Sequence, residues 1–393
     1  MDEKALKAAA LSAADALREE LTALSLKIHE HPEPGFHEVK AAGWLSEYLK
    51  THGFEVRTGL WEMETAFRAR YGKGEPVIAL LAEYDALPKL GHACGHNLIA
   101  ASSVGAAVAL KKVLDTCGGT VMVLGTPAEE LYGGKIMMAQ RGAFTDVTLA
   151  MEVHPGVIDT ATTEFLACQT LEVEFFGRAA HAAARPERGI NALEAMLLSF
   201  AGINALRQHI RSGARIHGII TDGGEAPNIV PSHSAGSFIV RAEDDAYLQE
   251  LQERVLSCFQ GAAAATGARL EYHWGPAAYA AMRNNMTLAR LFRANMQSLG
   301  RRVSLEDPGR SFGSSDMGNV SQLVPAIHPS VAVAPKKVLL HSPEFAQAAA
   351  SGAGMKGMMD ALKAMALTVV DLLASPDNLT RVREEFFRGK RGR

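Results

Sequence analysis

Val77-Ile78-Ala79-Leu80-Leu81-Ala82, running directly into Glu83-Tyr84-Asp85, is an apolar segment that ends in two carboxylates. Six consecutive apolar residues without helical periodicity fit a strand buried on both faces, the form parallel sheets take. In an open α/β sheet, ligands bind beyond the carboxyl ends of the strands, and Asp85 falls there. The pattern recurs along the chain. Thr120–Gly125 is a second short apolar strand and leads into Thr126-Pro127-Ala128-Glu129-Glu130. Val147–Val153 is a third, ending in His154-Pro155-Gly156, and Ser330–Ala334 is a fourth, with His341 shortly after it. One acidic or histidine residue past a strand end is ordinary loop chemistry. Asp85, Glu129, Glu130, His154 and His341 together point to a metal or catalytic site.

The loop after Asp85 reads Gly91-His92-Ala93-Cys94-Gly95-His96-Asn97. In extended backbone, side chains at i, i+2 and i+4 share a face, so His92, Cys94 and His96 can converge. Thiolate and imidazole are the ligands that zinc and similar borderline metals take. His-x-Cys-x-His is nevertheless not a closed four-ligand zinc pattern. Two readings stand beside a metal site. One is a chance cluster with Cys94 as a small buried hydrophobe; the other is a Cys94 thiolate activated at the start of the helix that follows Asn97.

Working outward, residues from about Asp2 to His29 carry Leu17, Leu21, Leu24 and Ile28 at helical spacing. His31-Pro32-Glu33-Pro34-Gly35 stops that helix, because two prolines forbid its continuation. His29, His31 and His37 around the stop read as surface or packing residues. Further helices are expected over Glu38–Thr51 and Leu98–Leu114, with strands over Glu55–Thr58 and Phe67–Tyr71. Between Phe165 and Trp274 the order changes to β-α-β-β-α-β, the ferredoxin-like arrangement. Its strands are Leu166–Phe176, Arg215–Thr221, Ser234–Arg241 and Ala268–Trp274; its helices are Gly189–Ile210 and Asp244–Ala265. The expected architecture is α/β: a mixed, mostly parallel sheet flanked by helices over 1–164 and 282–393, with an inserted α+β domain over 165–281. A Gly-rich loop at Ser311–Gly318 and a long helix over Ala348–Ala374 follow the insertion, and the basic tail Arg381–Arg393 reads as solvated.

The 393 residues, 48% hydrophobic and 21% charged, suit two domains with ample core. A net charge of -3 with mixed signs gives no electrostatic argument for nucleic acid or an anionic membrane as partner. Cys94, Cys117, Cys168 and Cys258 are too scattered for a disulfide framework. The N-terminal stretch MDEKALKAAALSAADALREEL is acidic and helical in period, unlike a signal peptide. No apolar run approaches the ~18–20 residues that span a bilayer. A cytoplasmic protein is expected.

Two adjacent carboxylates, Glu129 and Glu130, cannot both point one way from an extended chain. One can hold a metal while its neighbour, turned toward substrate, takes a proton from water and passes it to a leaving amine. The bland alternative is a solvated acidic pair capping the next helix. Asp85, His154 and His341 bring the donors to the number a two-metal site needs, with open positions left for water and substrate.

With these motifs in place, the chain resembles the amidohydrolase branch of the co-catalytic di-metal aminoacylase and carboxypeptidase family. That branch includes indole-acetyl-amino-acid, hippurate and p-aminobenzoyl-glutamate hydrolases. The likeness rests on Tyr84-Asp85-Ala86-Leu87-Pro88, His92-Ala93-Cys94-Gly95-His96, Pro127-Ala128-Glu129-Glu130 and Glu152-Val153-His154-Pro155-Gly156. It runs from Leu24-Ser25-Leu26-Lys27-Ile28-His29-Glu30-His31-Pro32-Glu33 to His341-Ser342-Pro343-Glu344-Phe345. The resemblance implies a zinc-exopeptidase-like fold and two divalent ions per subunit, zinc or manganese, with cobalt and nickel also compatible. It implies Cys94, His96, Glu130, His154 and His341 as ligands, Glu129 as general base, and Asp85 as the carboxylate that orients a ligand. His92 stays outside the ligand set.

The resemblance also implies that the inserted domain mediates homodimerisation and carries substrate contacts. Arg178-Ala179-Ala180-His181-Ala182 resembles the loop whose histidine reaches across a dimer to the scissile carbonyl, which makes His181 an oxyanion donor. Gly223-Gly224-Glu225-Ala226-Pro227-Asn228-Ile229-Val230-Pro231 resembles the segment that offers an asparagine, here Asn228, to substrate. Arg241 is either a fork for the substrate carboxylate or a structural ion pair. Ser314-Ser315-Asp316-Met317-Gly318 resembles a loop near the substrate and is given no chemical step. One departure stands out: many members of the branch have Asp where this chain has Asn97. Together with Glu83-Tyr84-Asp85 and Gly91-His92, this looks more like β-alanyl-lysine-type dipeptidases, and a neutral side chain there changes the charge around the ligands. The implied activity is metal-dependent hydrolysis of an amide bond in a small N-acyl amino acid or dipeptide with a free carboxylate. Its rivals are a thiol hydrolase using Cys94 and a non-catalytic binding protein on the same fold.

Overall fold

The computed structural model describes residues 2–306 and 313–391. The described residues fall into two compact units, one drawn from 2–164, 282–306 and 315–391, the other from 165–281 and 313–314. In the first, β1 (Glu55–Thr58) and β2 (Phe67–Lys73) form an antiparallel ribbon. β3 (Val77–Glu83), β4 (Gly119–Thr126) and β5 (Leu149–Met151) run parallel, and β2 pairs antiparallel with β4. Every residue of β3 and β4 is buried. Their side chains alternate: Ile78, Leu80 and Ala82 enter one apolar core, whereas Val77, Ala79 and Leu81 enter a second on the opposite face. Two covered faces are why these strands read as unbroken apolar runs. The chain then passes through β6 (His154–Gly156) into the second unit.

That unit contains β7 (Ala167–Phe176), β8 (Arg215–Asp222), β9 (His233–Ala242) and β10 (Arg269–Trp274), all antiparallel in the order β10-β7-β9-β8. The helices Ala192–Leu206 and Asp245–Thr266 pack on the sheet and share its core through Met196, Ile203, Leu251, Val255 and Phe259. Asn191 and Asp244 cap them by accepting the N–H of Glu194 and of Tyr247.

Back in the first unit, β11 (Ala326–Ile327) pairs parallel with β5 and completes a six-stranded sheet in the order β1-β2-β4-β3-β5-β11. The expected fourth strand is therefore displaced. β12 (Ser330–Ala332) pairs with β6 in a separate two-stranded sheet, and the expected strand over Val147–Val153 shortens to β5, with β6 following it. Pro329 lies between β11 and β12; with no N–H of its own to give, it offers its carbonyl to His154 N at 2.9 Å.

The helices depart from expectation in four places. The first divides at Leu17 into Glu3–Ala16 and Arg18–Glu30, Leu17 N donating to Ala14 O in a tighter turn. The one expected over Leu98–Leu114 becomes His96–Ala109 and Lys111–Cys117, bent by 41°. The long C-terminal helix is interrupted: Pro343–Ala349 ends before Ser351, whose hydroxyl caps Gly352–Ala374. The basic tail is a further helix, Pro376–Arg391, which is more than a solvated segment. Val382 and Phe386 are buried, and Glu385 accepts the N–H of Met286 and of Thr287, capping the Met286–Ser298 helix. Residues 311–312 of the Gly-rich loop and 392–393 of the tail lie outside the described residues. Among the described residues no single helix is long and apolar enough to cross a membrane.

All residues of the His96–Ala109 helix are buried. Its run of small side chains lets neighbouring helices approach, and a Cβ at Gly105 would collide with Leu362 and Leu21. Gly105→Val is expected to destabilise the protein by about 1–3 kcal/mol through overpacking. A urea midpoint equal to wild type would show that the helices can part without cost.

Candidate metal centre

The sheet's carboxyl edge gathers donors that are far apart in sequence. β3 ends at Glu83, with Asp85 two residues beyond; β4 leads through Pro127 and Ala128 into Glu129 and Glu130. Ala128 adopts a left-handed conformation, φ 61° and ψ 45°, which starts a short helix Glu129–Tyr132. The two glutamates thus leave a helical turn, not the extended chain expected, and diverge around the axis. Cys94 and His96 meet the start of the buried helix through Gly95, at φ 80°. His154 begins β6, and His341 is held at φ 59° with its N–H on Ala93 O at 3.0 Å. Three overlapping donor groups result: Cys94, His96 and His154; Cys94, Glu130 and His341; His96, Glu129 and Glu130. Within each, the ligand atoms lie within 4.8 Å of one another.

The protonation pattern suits cations. His96 Nδ1 meets Asp85 Oδ1 at 3.0 Å and His154 Nδ1 meets Pro155 O at 2.6 Å. Each acceptor requires N–H at Nδ1, so both Nε2 lone pairs face inward. His154 Nε2 lies 3.4 Å from Cys94 Sγ, and His341 Nε2 lies 3.4 Å from Glu130 Oε2. His96 Nε2 and Glu130 Oε1 are buried without a hydrogen bond, 3.8 Å apart. Imidazole nitrogens, a thiol and carboxylate oxygens crowded this closely are a donor set that fits two divalent ions.

Comparison with known proteins agrees. Residues 79–364 match the family described as Peptidase family M20/M25/M40. The chain belongs to that family. It is 37% identical over 400 residues to the Xaa-Arg dipeptidase of Mus musculus, covering 97% of this chain and 92% of the relative. It is 31% identical over 453 residues to one of the p-aminobenzoyl-glutamate hydrolase subunits of Escherichia coli (strain K12), covering 95% and 93%. A dinuclear metal binding peptidase from the M20 family of Bacillus subtilis superposes with a TM-score of 0.72 at 21% identity, covering 91% of this chain and 99% of that one. The protein is accordingly a metal-dependent hydrolase of amide bonds in small substrates, which sets aside the reading as a binding protein. Burial and the Glu130 carboxylate push the Cys94 thiol well up, opposite to an activated cysteine. Cys94 belongs to two of the donor groups, one with His96 and His154 and one with Glu130 and His341.

Two expectations about the loop are refined. His92 is buried beside His29, ring centroids 6.0 Å apart, and belongs to none of the donor groups. The Asn97 amide donates to Ser25 Oγ at 2.9 Å and Ala349 O at 3.1 Å, so it ties helices together and is not turned to a ligand.

Sequence reading missed the charged cluster beneath the ligands. Lys135 is completely buried and its ammonium contacts Glu83, Asp316 at 2.9 Å and Glu152 at 3.5 Å, while His328 Nε2 lies 3.1 Å from Glu152. Burial opposes its charge, but Asp316, Glu152 and Glu83 outweigh that and hold its pKa well above the ordinary lysine value. Glu83, Glu129 and Asp316 form a fourth close acidic group, yet Lys135 already bridges two of them, so its cation is built in. Burial, with Glu83 and Asp316 near, keeps the Glu129 carboxyl well above its usual range. The unbroken polarity of Glu83 and Glu152 at strand ends was a signal that could have been read; the arrival of Lys135 between them was not.

The remaining site candidates lie in the second unit. His181 and Asn228 are neighbours: His181 bridges to Ile229, and Ala182 N donates to Asn228 O at 3.0 Å. His181 Nδ1 accepts the N–H of Ala183 at 3.3 Å and of Ala184 at 3.2 Å, which leaves the proton on Nε2. Arg241, near the other end of β9, donates to Ser314 Oγ at 3.0 Å.

Lys135→Met removes the ammonium from three buried carboxyl groups. It is expected to cost about 3–5 kcal/mol of unfolding free energy; denaturation within ~1 kcal/mol of wild type would show the cluster to be redundant.

Proposed function

We propose that this M20 enzyme is a dipeptidase that releases a basic C-terminal residue, working with two zinc or manganese ions. What carries the reading is the placement of Glu129, grouped with His96 and Glu130 but outside both sets that contain Cys94, where it can serve water while its neighbour ligates. The likeness to an Xaa-Arg dipeptidase along 97% of the chain supports the substrate class. An N-acyl amino acid is the second reading, favoured by the likeness to p-aminobenzoyl-glutamate hydrolase.

Cys94, His96, Glu130, His154 and His341 would hold the ions, which supply Lewis acidity toward an amide carbonyl and toward water at neutral pH. Asp85 holds His96 in the tautomer that ligates. Glu129 takes a proton from the attacking water and hands it to the leaving amine. His181, with its proton on Nε2, is our donor to the carbonyl oxygen, given by a partner subunit as the family resemblance implies. Asn228 and Arg241 are our contacts for the substrate's polar groups, Arg241 through its guanidinium fork. All four cysteines are unpaired, which supports a reducing, cytoplasmic setting.

Homodimerisation through the second unit is supported by β8, an edge strand that leaves Ile219 65% exposed, and by exposed Leu197 and Leu198 on the Ala192–Leu206 helix. Ile219→Asp with Leu198→Asp is expected to convert a dimer to a monomer in light scattering and to reduce turnover. A variant that stays dimeric would overturn this interface, and a fully active monomeric variant would overturn the shared role of His181.

Glu129→Gln is expected to lower kcat by about 10²–10⁴-fold with two metals still bound per chain. Chelation should abolish cleavage of Ala-Arg and Ala-Lys, and zinc or manganese should restore it. Retained turnover in the stripped enzyme, or preference for N-acetyl-arginine or Ala-Glu over Ala-Arg, would overturn the mechanism or the substrate class respectively.

A further inference from the structure

The steps assigned above use no residue before Asp85, yet a carboxylate from the N-terminal part of the chain reaches the turn that bears Glu129. Glu38 is fully buried. Its Oε1 accepts the Ala128 N–H at 2.8 Å and its Oε2 accepts the Thr65 hydroxyl at 2.9 Å. Thr65 is itself anchored, its carbonyl accepting the buried Tyr84 hydroxyl at 2.6 Å. Two residues along the turn, Asp85 Oδ2 accepts the Glu130 N–H at 3.1 Å. Alternate amides of Ala128-Glu129-Glu130 are therefore held by two buried carboxylates from different parts of the fold.

Ala128 needs such a hold. It is a non-glycine residue at φ 61°, a conformation its Cβ disfavours. The segment around Glu38 is shaped to reach it: a Cβ at Gly35 would stand 2.9 Å from Ala128 Cβ and 3.2 Å from Tyr132 Cδ2. Glu33 ties the same segment to the site by accepting the N–H of Lys40 at 2.9 Å and, through its carbonyl, that of Ala86 at 2.8 Å. A buried carboxyl is a costly way to satisfy one amide and one hydroxyl. Burial, with Asp85 adding to it, pushes Glu38 up to about 7. In either protonation state the carboxyl keeps an oxygen that accepts the Ala128 N–H, and a strained turn is where that contact matters.

We propose that Glu38 is a positioning residue: by holding the Ala128 N–H it keeps the turn left-handed and so sets the direction of the Glu129 carboxylate. The proposal rests on Glu129 being the base, and its test separates the two. Metal-loaded wild type, Glu129→Gln, Glu38→Ala, Glu38→Gln and Glu38→Ala with Ala128→Gly are compared on the dipeptide that wild type cleaves best, with metal content and folded fraction measured for each. Glu38→Ala is expected to lower kcat about 100-fold, the scale of a small misplacement of a reacting group. KM should stay within about threefold, because binding is not what was removed. Glu38→Gln should recover to within about tenfold of wild type, since its amide oxygen accepts the Ala128 N–H while its NH2 meets Thr65. Ala128→Gly should restore at least about tenfold in the Glu38→Ala background, because glycine takes positive φ without a steric penalty. Loss of core packing alone would not be repaired at residue 128. If Glu38→Ala does not fold, Thr65→Val, which removes the hydroxyl orienting Glu38, should lower kcat about tenfold. The proposal is overturned if Glu38→Ala keeps kcat, if its loss follows lost metal, if Ala128→Gly restores nothing, or if Thr65→Val has no effect. An active Glu38→Ala beside an inactive Glu129→Gln defeats this proposal alone. An active Glu129→Gln defeats the base assignment, and with it the positioning role.

Discussion

Asp85 binds two elements of the centre with one side chain. One oxygen fixes the Nδ1–H of His96 and the other accepts the amide of Glu130. A histidine and a glutamate from different strand-end loops are thereby brought to a common frame, and the inward Nε2 lone pair of His96 follows from it. The carboxylate can do this because β3 delivers it to the sheet's edge at a fixed height, with all seven strand residues buried above and below. Loops vary easily, but a strand clamped on both faces has one position.

The turn before Glu129 shows how strain at a site is sustained by contacts outside it. Left-handed backbone costs an alanine about 1–2 kcal/mol. A hydrogen bond contributes about 0.5–1.5 kcal/mol to a neutral acceptor and about 1.5–3 kcal/mol to a charged one, so the Glu38 contact is on the scale needed to hold Ala128. The same balance recurs deeper. Glu83, Glu152 and Asp316 are each sequestered from water, and a single buried ammonium, Lys135, makes their burial tolerable. Desolvation is severe for each group taken alone; paired and hydrogen-bonded, they stiffen the floor below the ligands.

Much of the centre could be read in the chain because the chemistry is local. Strand, turn and donor follow one another within about ten residues in Ala82–Asp85, in Thr126–Glu130 and in Val153–Pro155, and a buried parallel strand has a recognisable composition. The ferredoxin-like order of the inserted segment was legible for a similar reason: alternation with period two and amphipathic helices are properties of single elements. Ser330–Ala334 was misread because an apolar run announces a strand and not its partner. Pro329 separates β11, which joins the main sheet, from β12, which pairs with β6, and pairing is settled between segments.

Residue type and spacing pointed to the α/β class and to a metal or catalytic site, since metal and proton chemistry restrict which side chains can serve; the likeness of the motifs to a known family added the family and the roles of Cys94, His96, Glu129, Glu130, His154 and His341. Only the folded chain determined which lone pairs face inward, that Asn97 turns to Ser25 and Ala349, and that Lys135 and Glu38 support the site from a distance. Those outcomes depend on contacts between residues dozens or hundreds of positions apart. Burial raises the strength of such contacts, and burial does not exist until the chain has folded.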